Sequence, residues 1–453
     1  MAQQLYFSRD SQMFLEIGSA VWKIPVLEGF SFSQATNVSE ITLNEMESTA
    51  GTSRRGRRAF NDSLAPVEFS FSTYIRPFKA SGSATADNNA YHHAVEEALW
   101  ALFSGPATYA SNAFTNQSTH DGTNMDLLFS QSNKSSLGPT AGANLYFELG
   151  DANKLCYKLA KVVLNEASID FDIDGVAQIN WSGFADTITE FSSTVTVAGA
   201  VSSSTTVDFT AGSIDIVAAD AGRRIAGTAA APILADSFIA SRTDADTIVL
   251  STADSIAAGT VLTLLGPRAT IFEATSATNN FIRNRLTKVF ITESGGDPAN
   301  ALESTYVLTL TGGNITLSNN VQYLTPEELG VVNIPIGHVT GARSFGGSMT
   351  CYLSEDTATT NASKDFFQDL TSTAQRNQVT NKFSLSFLIG GGSAVDAPSS
   401  PGLQIKMPTC HVDIPTHSIE DIITLETTFM ALPSTIDLAD EVSMMYIGDT
   451  PNA

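Results

Sequence analysis

The chain has 453 residues and a formal net charge of −23, from 47 acidic and 24 basic side chains. This length allows two or three domains, each with its own core. The acidic balance argues against a protein that grips nucleic acid through its overall charge, because phosphate binding depends on Lys and Arg. Charged residues make up only 16% of the sequence. That low share fits surfaces that are covered by other subunits.

Targeting and redox signals are sparse. The first residues contain no basic stretch followed by an apolar one, so we expect no signal peptide. No apolar run approaches 18 residues, so we expect no membrane span. Cys156, Cys351 and Cys410 are scattered and lack CxxC spacing. They argue against a disulfide framework or a zinc site, and they favour assembly in a reducing cytoplasm.

The first part of the chain is predicted to be rich in strands. Strand candidates are residues 12–18, 69–75 and 145–150, and the pattern of 161–185 predicts two strands joined by a turn. One helix is predicted over 91–103, with an apolar stripe and a stop at Gly105-Pro106.

The middle of the chain has a different texture. Residues 192–266 are rich in Ala, Thr, Ser and Asp and contain no Lys or Trp. Four short β-branched runs are separated by Gly, Asp and Ala turn signals. This pattern predicts a small all-β module; a flexible linker is the alternative.

The last part repeats the order of the first. The segment 406–431 matches 161–185, 383–389 matches 145–150, and Arg343-Ser-Phe345 before 348–353 matches Arg58-Ala-Phe60 before 69–75. A second helix is predicted over about 363–375. Further upstream, the apolar run at 306–312 is matched with 12–18. The order of elements predicts a tandem duplication, although strict identity between the halves is low.

Two charged groups are candidate functional residues. The only dense basic cluster is Arg54, Arg55, Arg57 and Arg58. We expect a loop whose guanidinium groups pair with carboxylates of a neighbouring ring or subunit; a nucleic-acid contact and a plain solvated loop are the alternatives.

A candidate acidic lining is formed by Asp170, Asp172 and Asp174 in the first half and by Glu420, Asp421 and Glu426 in the second. Residues 170–175 resemble the start of a calcium loop, but the twelfth position is Trp181 and not Glu. Ile169, Phe171 and Ile173 alternate as in a half-buried strand, with the three aspartates on its other face.

No motif with established chemistry accompanies these residues. His92, His93 and Glu96 are ligand-type residues on the predicted helix, but HExxH is absent and a core-edge or surface position is favoured over a metal site. Gly390-Gly-Gly392 lacks the GK[ST] of a phosphate loop. No GxSxG or supported Cys–His pair is present. The sequence therefore predicts no catalytic, cofactor-binding or metal site.

The two strand-rich halves, the loop region from 30–33 to 58–60, the helix at 91–103, the paired segments 145–185 and 383–431 and the interposed module together resemble the tail tube proteins of long-tailed bacteriophages. They resemble in particular the subgroup in which the tube fold is duplicated within one chain. The resemblance implies a mainly β fold with two tandem β-sandwich or half-barrel domains, each with one short helix, over 1–190 and 276–453. The inserted module would span 191–275.

The resemblance also implies a function and partners. Copies of the chain would form rings of three with pseudo-sixfold symmetry, stacked into a hollow tube through which double-stranded DNA leaves the head without sticking. Further partners would be tail terminator, tape-measure and tail-tip proteins, and the location would be the virion, after assembly in the host cytoplasm. The protein would not be an enzyme and would need no cofactor or membrane.

Three other classes of protein compete with this reading. A capsid or head-decoration protein is the nearest viral alternative. A secreted surface-layer or adhesin protein shares the Thr/Ser/Ala-rich texture but predicts a signal peptide and a longer array of modules. A glycan hydrolase on a β-scaffold predicts paired carboxylates and aromatic platforms, and the chain has only three Trp.

Overall fold

The structure is a computed structural model of the chain. It describes residues 6–18, 20–42, 57–80, 91–105, 109–110, 113–114, 118–121, 123–129, 142–150, 154–212, 216, 220–227, 233, 237–266, 271–272, 280–293, 305–326, 333–355, 362–371, 383–419, 421–435 and 438–448.

The fold is mainly β, as predicted. The first region contains β1 (Gln12–Ile17), β2 (Ala20–Ile24), β3 (Ser31–Thr42), β4 (Arg57–Tyr74), β5 (Pro77–Lys79), β6 (His92–Ala94), α1 (Glu97–Ser104), β7 (Tyr109–Ala110), β8 (Ala113–Phe114), β9 (Ser118–His120), β10 (Met125–Leu128), β11 (Ala143–Leu149), β12 (Leu155–Phe171), β13 (Gln178–Ala185) and β14 (Thr187–Glu190). The middle contains β15 (Ser193–Thr196), β16 (Val201–Asp208), β17 (Arg224–Ala226), β18 (Ile239–Arg242), β19 (Thr247–Ile256), β20 (Val261–Leu265) and β21 (Ile271–Phe272).

The last region contains β22 (Lys288–Glu293), β23 (Thr305–Leu308), β24 (Leu310–Ser318), β25 (Val321–Leu324), β26 (Gly337–Thr340), β27 (Ser344–Tyr352), α2 (Ser363–Leu370), β28 (Phe383–Ile389), β29 (Gly392–Ala394), β30 (Ala397–Pro398), β31 (Gly402–Val412), β32 (Thr416–Ile419), β33 (Ile423–Ala431) and β34 (Ser443–Ile447). Single 3₁₀ turns lie at Ser8–Asp10 and Asn284–Leu286.

The first and last regions share one pairing pattern. In the first, antiparallel neighbours follow the order β2–β1–β11–β12–β13–β4–β3. In the last, the order is β23–β22–β28–β31–β33–β27–β24. The helices also have equivalent places along the chain. In the first region α1 lies between β4 and β11, and in the last region α2 lies between the counterpart strands β27 and β28. We call strands in the same place of the two orders counterparts.

This pattern corrects one match made from the sequence. The run at 12–18 was matched with 306–312, but β1 is the counterpart of β22, and β23 is the counterpart of β2. Apolar runs of similar composition do not identify a strand; its ladder neighbours do. The divisions at 190 and 275 stay predictions, which the shared pairing pattern supports.

One cross-strand pair recurs in both regions with its members exchanged. Phe69 of β4 lies opposite Gly183 of β13, and Phe429 of β33 lies opposite Gly347 of β27. A Cβ on Gly183 would lie 2.7 Å from the Phe69 ring, and one on Gly347 would lie 3.0 Å from the Phe429 ring. Each phenyl ring therefore covers the backbone of a glycine, a pairing that stabilises glycine in strands.

Both helices are shorter than predicted. The first begins at Glu97 and not at residue 91, because His92–Ala94 forms β6 and pairs with β5. All eight of its residues are buried. The second begins at Ser363, as predicted, and ends at Leu370; residues 372–375 lie outside the described residues.

A single large core joins the first and last regions and includes Leu15 of β1 and Phe387 of β28. Trp100 of α1 and Trp181 of β13 are both buried and pack edge to face, with ring centroids 4.7 Å apart. Such an aromatic pair contributes about 1 kcal/mol beyond its buried area. The middle strands enclose a separate core, which includes Val207, Ile248 and Leu262. A separate core is the property expected of an independent module.

Candidate functional surface: the polar face of the long sheet

Eight antiparallel strands form one continuous ladder across the two main regions. The order is β3–β4–β13–β12–β24–β27–β33–β32, and we call this ladder the long sheet. Its centre is the pairing of β12 with β24, where Ser168 lies opposite Thr316 and Asp170 opposite Asn314. The two regions are therefore joined by backbone hydrogen bonds as well as by side-chain packing.

The two faces of the long sheet differ in chemistry. One row of facing residues, Phe71, Trp181, Ala167, Leu317 and Phe345, is buried in the core. Side chains alternate between the faces of a strand, so the intervening residues point to the other side. That other side, which we call the polar face, also carries Tyr74, Phe184, Tyr352 and Met430. The residues that define its polar character are Ser31, Ser33, Glu68, Ser70, Ser72, Glu166, Ser168, Asp170, Asn180, Ser182, Asn314, Thr316, Ser318, Ser344, Ser348, Thr350, Thr416, Ser418, Glu426 and Thr428.

Hydroxyl and amide groups on the polar face hydrogen-bond to one another. Ser72 donates to Asn180 Oδ1 at 2.7 Å, and Asn180 Nδ2 donates to Asp170 Oδ2 at 3.1 Å. Ser31 Oγ and Ser70 Oγ lie 2.9 Å apart. These bonds hold short side chains close to the sheet.

The charge of the polar face is negative. Its ionisable groups are Glu68, Glu166, Asp170 and Glu426, and none of the residues that define it is Lys or Arg. Binding of duplex DNA relies on cationic contacts that release counterions from phosphates. The residues that define the polar face therefore supply no cationic group for such contacts.

The predicted acidic residues divide into three groups. Asp170 and Glu426 lie on the polar face and are exposed. The strand prediction was wrong for Asp172 and Asp174, because β12 ends at Phe171 and both residues lie in the following turn, where Gly175 N–H bonds to Asp172 O at 3.4 Å. Asp421 lies in the exposed turn before β33, and Glu420 lies outside the described residues.

Two carboxylates of the polar face were missed from the sequence. Glu68 lies between the buried residues Val67 and Phe69, and Glu166 is opposite Ser182. Continuing the alternation of the strand that contains Phe69 and Phe71 backward would have identified Glu68. Glu166 is harder to assign, because the register of β12 with β13 shifts between Leu164 and Glu166.

Two arginines of the predicted cluster lie at the end of the long hairpin formed by β3 and β4. Arg54 and Arg55 are outside the described residues, and Arg57 and Arg58 begin β4 opposite Thr42 and Ile41 of β3. The connection between the counterpart strands β24 and β27 contains the small hairpin β25–β26, and Tyr323 of this hairpin donates a hydrogen bond to Lys161 O at 2.9 Å. That the two halves contribute different loops stays a prediction, because residues 43–56 lie outside the described residues.

Histidine and glutamate residues from separate parts of the sequence form a cluster around α1. His93 Nδ1 lies 3.1 Å from Glu97 Oε2, and His120 Nδ1 donates to His92 O at 3.0 Å. Ligand atoms of His93, Glu97 and His120 lie within 4.8 Å of one another. The His93 and His120 rings lie 4.5 Å apart and are tilted by 33°. The prediction that these residues have a core-edge position and not a metal-binding role stays a prediction.

Burial controls the ionisation of this cluster and of the thiols. Burial would raise the pKa of Glu97, but the neighbouring His93 and His120 outweigh it and hold this pKa below its ordinary value. Burial raises the pKa of Cys156 and Cys410 to about 12 and that of Cys351 to about 11. The three thiols are therefore protonated at neutral pH and are poor nucleophiles.

No helix among the described residues is long and apolar enough to cross a membrane. A mainly β chain with a repeated strand order, an extended hairpin and one polar sheet face has the architecture implied by the resemblance to phage tail tube proteins. The chain is similar to the tail tube protein pb6 of Escherichia phage T5, with 27% identity over 421 residues that cover 92% of this chain and 69% of that protein. This similarity confirms the resemblance. No family model matches the chain.

Proposed function

We propose that this chain is a structural virion protein whose copies form the hollow tail tube of a bacteriophage, through which DNA passes during genome ejection. The observation that carries the proposal is the similarity to a named tail tube protein along 92% of the chain. A match of that extent includes both main regions and the middle module, and it favours a tail tube over a capsid, decoration or surface-layer protein. The role is structural and not enzymatic.

The ring contains three copies. Each chain supplies two tube-like domains, 1–190 and 276–453, so three chains supply six. The shared pairing pattern of the two regions supports this stoichiometry, because the contact of β12 with β24 already joins two such domains within one chain. A head-to-tail contact that repeats with the same rotation closes into a ring.

The polar face lines the lumen. Its carboxylates repel phosphate. Because its defining residues include no Lys or Arg, they supply none of the cationic contacts that would retain DNA. Asp170 and Glu426 are exposed on this face, and the turn residues Asp172, Asp174 and Asp421 add negative charge beside it. DNA therefore slides along the wall without binding to it.

The module at 191–275 decorates the outside of the tube. Arg224 of β17 forms an ion pair with Glu148 of β11 at 2.8 Å, and Arg223 donates a hydrogen bond to Phe191 O at 2.7 Å. Arg224 also lies over the ring of Phe14 in β1. Since β1 and β11 are not strands of the long sheet, the module packs on a part of the chain that does not belong to that sheet.

The segment that contains Arg54, Arg55, Arg57 and Arg58, at the start of β4, joins successive rings. Arginine is suited to this role because its planar guanidinium binds carboxylates through two hydrogen bonds, and the acidic chain offers many carboxylates. The remaining partners are a tail terminator, a tape-measure protein and tail-tip proteins, with assembly in the host cytoplasm.

Imaging of purified protein by negative-stain electron microscopy tests the proposal. Rings or hollow tubes are expected as the concentration is raised. Monodisperse monomers at every concentration and salt condition would overturn it, as would solid filaments without a central channel.

A further inference from the structure

One end of the long sheet is an open edge. The equivalent strand edge in the first region is covered by another strand of the same chain. The strand β32 pairs with β33 on one side only among the described residues. The counterpart of β32 is the end of β12, from Ser168 to Phe171, which pairs with β13 on one side and with β24 on the other. The last region therefore lacks a strand that the first region has.

The residue correspondence follows from matching registers. Leu159 of β12 lies opposite Leu145, and Met407 of β31 lies opposite Leu385, with a bulge at the same next step of both ladders. Counting forward from this match, Thr416 is the counterpart of Ser168. The partners across the sheet agree, because Ser168 faces Asn180 of β13 and Thr416 faces Glu426 of the counterpart strand β33.

The exposed fractions of counterpart side chains show where β32 lacks a neighbouring strand. Phe171, which β24 covers, is 8% exposed, whereas its counterpart Ile419 is 78% exposed. Ile414, at the other end of this edge, is 57% exposed. An open strand edge with exposed isoleucines is an aggregation hazard unless an intended partner covers it.

The strand that would pair with this edge can be identified as the counterpart of β24. Asn314 of β24, which pairs with β12 on one side, lies opposite Ser348 of β27 on the other side. In the first region, Ser31 of β3 lies opposite Ser70, the counterpart of Ser348. Among the described residues, β3 has a ladder partner on one side only, β4. Within the described residues, the long sheet therefore ends at β32 with an open edge and at β3 with a strand of the matching type that has a free side.

We infer that β3 of a neighbouring copy pairs antiparallel with β32, in a register that places Ser31 opposite Ser418, Phe32 opposite His417 and Ser33 opposite Thr416. This register repeats the contact of β24 with β12, in which Asn314 lies opposite Asp170 and Thr316 opposite Ser168. The inference rests on the proposed function, and it names the contact that closes the ring.

The proposed contact satisfies the chemistry on both faces of the sheet. Ser31 and Ser33 extend the polar face beside Thr416 and Ser418, so the lumen wall continues into the next copy. Phe30 of the neighbour is the counterpart of Gly313, which lies opposite Phe171, so Phe30 would lie opposite the exposed Ile419. The ladder ends at Pro415, the counterpart of Ala167, because proline has no N–H to donate.

Disulfide trapping tests the register. In the variant Ser33→Cys/Thr416→Cys, oxidation of assembled protein should join neighbouring chains, because facing residues of paired strands lie within disulfide reach. Non-reducing gels should show a ladder that ends at the covalent trimer. Both replaced residues are exposed and the native cysteines are buried, so folding and background should be unaffected.

Two matched variants serve as controls. Ser31→Cys/Thr416→Cys is shifted by two residues, or ~7 Å along the strand, and should crosslink about tenfold less. Ser168→Cys/Thr316→Cys reproduces the same contact within one chain and should form an intramolecular disulfide in the monomer. Equal crosslinking of the shifted and the matched pairs would overturn the proposed register.

The outcomes separate the inference from the proposed function. Hollow tubes without crosslinking of the Ser33→Cys/Thr416→Cys variant would overturn the register and leave the tube intact. Crosslinked trimers that never stack into tubes would support the register and contradict the tube. Monomers at every concentration, with a normal intramolecular control, would contradict both.

Discussion

Trp100 and Tyr446, which lie far apart in the sequence, meet in the core of the molecule. The indole Nε1 of Trp100 donates a hydrogen bond to the hydroxyl of Tyr446 at 2.7 Å, and both side chains are fully buried. The Tyr446 hydroxyl also bonds to the buried Glu96. Since Tyr446 lies in β34, these bonds attach the C-terminal strand to the helix of the first region.

Removal of the Tyr446 hydroxyl should therefore destabilise the whole chain. We expect Tyr446→Phe to lower the free energy of unfolding by about 1–3 kcal/mol, because Trp100 and Glu96 both lose a buried partner. Urea denaturation of the monomer measures this change. Tyr352→Phe, at an exposed position, is the control and should have little effect. Equal stability of Tyr446→Phe and the wild type would show that these bonds contribute nothing net.

Glu96 should make the stability depend on pH. Burial raises its pKa from 4.5 to about 7, against the opposing hydrogen bonds from Tyr446 and from the Arg76 backbone. Between pH 4.5 and about 7 the folded chain keeps a proton that the unfolded chain has lost, so stability falls as the pH rises through this window. The loss is on the order of 3 kcal/mol for this group alone.

The comparison with Glu96→Gln isolates this contribution. The other ionisable groups are the same in both proteins, so the difference between the two curves reports Glu96. We expect Glu96→Gln to gain stability relative to the wild type as the pH rises from 4.5 to 7 and to keep a constant difference above that. A difference that is independent of pH across this window would contradict the raised pKa.

Local patterns in the sequence predicted much of the fold. The alternation of Ile169 and Phe171 with Ser168 and Asp170 identified a half-buried strand and its polar side, and both halves were expected to contain one helix. The strand order of the two halves was only partly predicted. The identity of β1 and β22 as counterparts depends on ladder neighbours, and these are set by tertiary pairing.

Features that depend on distant residues were missed. His120 reaches His93 because β9 and β6 pack together, and nothing in the spacing of the two residues indicates this contact. The strand end at Phe171 was missed because Asp172 and Asp174 continue the alternation into a turn. The long sheet itself depends on the pairing of β12 with β24 across the module, which no local pattern encodes.

The arginine hairpin should be needed for stacking and not for folding. We expect the charge reversal Arg54→Glu/Arg55→Glu/Arg57→Glu/Arg58→Glu to abolish tubes but retain single rings, because the replaced groups would repel the carboxylates they are proposed to bind. Sedimentation and negative-stain images measure stacking, and thermal unfolding measures the fold.

A control variant with the same change of net charge is available. Arg9, Arg242, Arg283 and Arg285 are exposed, and their replacement by Glu alters the net charge by the same amount. This variant should still stack. An unchanged tube yield in the hairpin variant would reject the role of the hairpin, and equal loss in both variants would attribute the effect to net charge.

Assembly should hide the polar face from large reagents. We expect Ser182→Cys to react with a bulky polyethylene glycol maleimide in the monomer and to lose this reactivity in tubes, while a small maleimide still reacts. Ser202→Cys, at an exposed position of the module, should react with both reagents in both states. The buried native thiols, with raised pKa values, should add little background. Full reactivity of Ser182→Cys with the bulky reagent in tubes would place the polar face outside.

Electron cryomicroscopy of tubes assembled from the purified chain is the most direct test of the central claim. The expected map shows rings of three chains, an unbroken inner sheet that includes the strands of Ser182 and Thr316, and the middle module on the outer surface. A tube whose lumen is lined by other strands, or an assembly with no channel, would contradict the account.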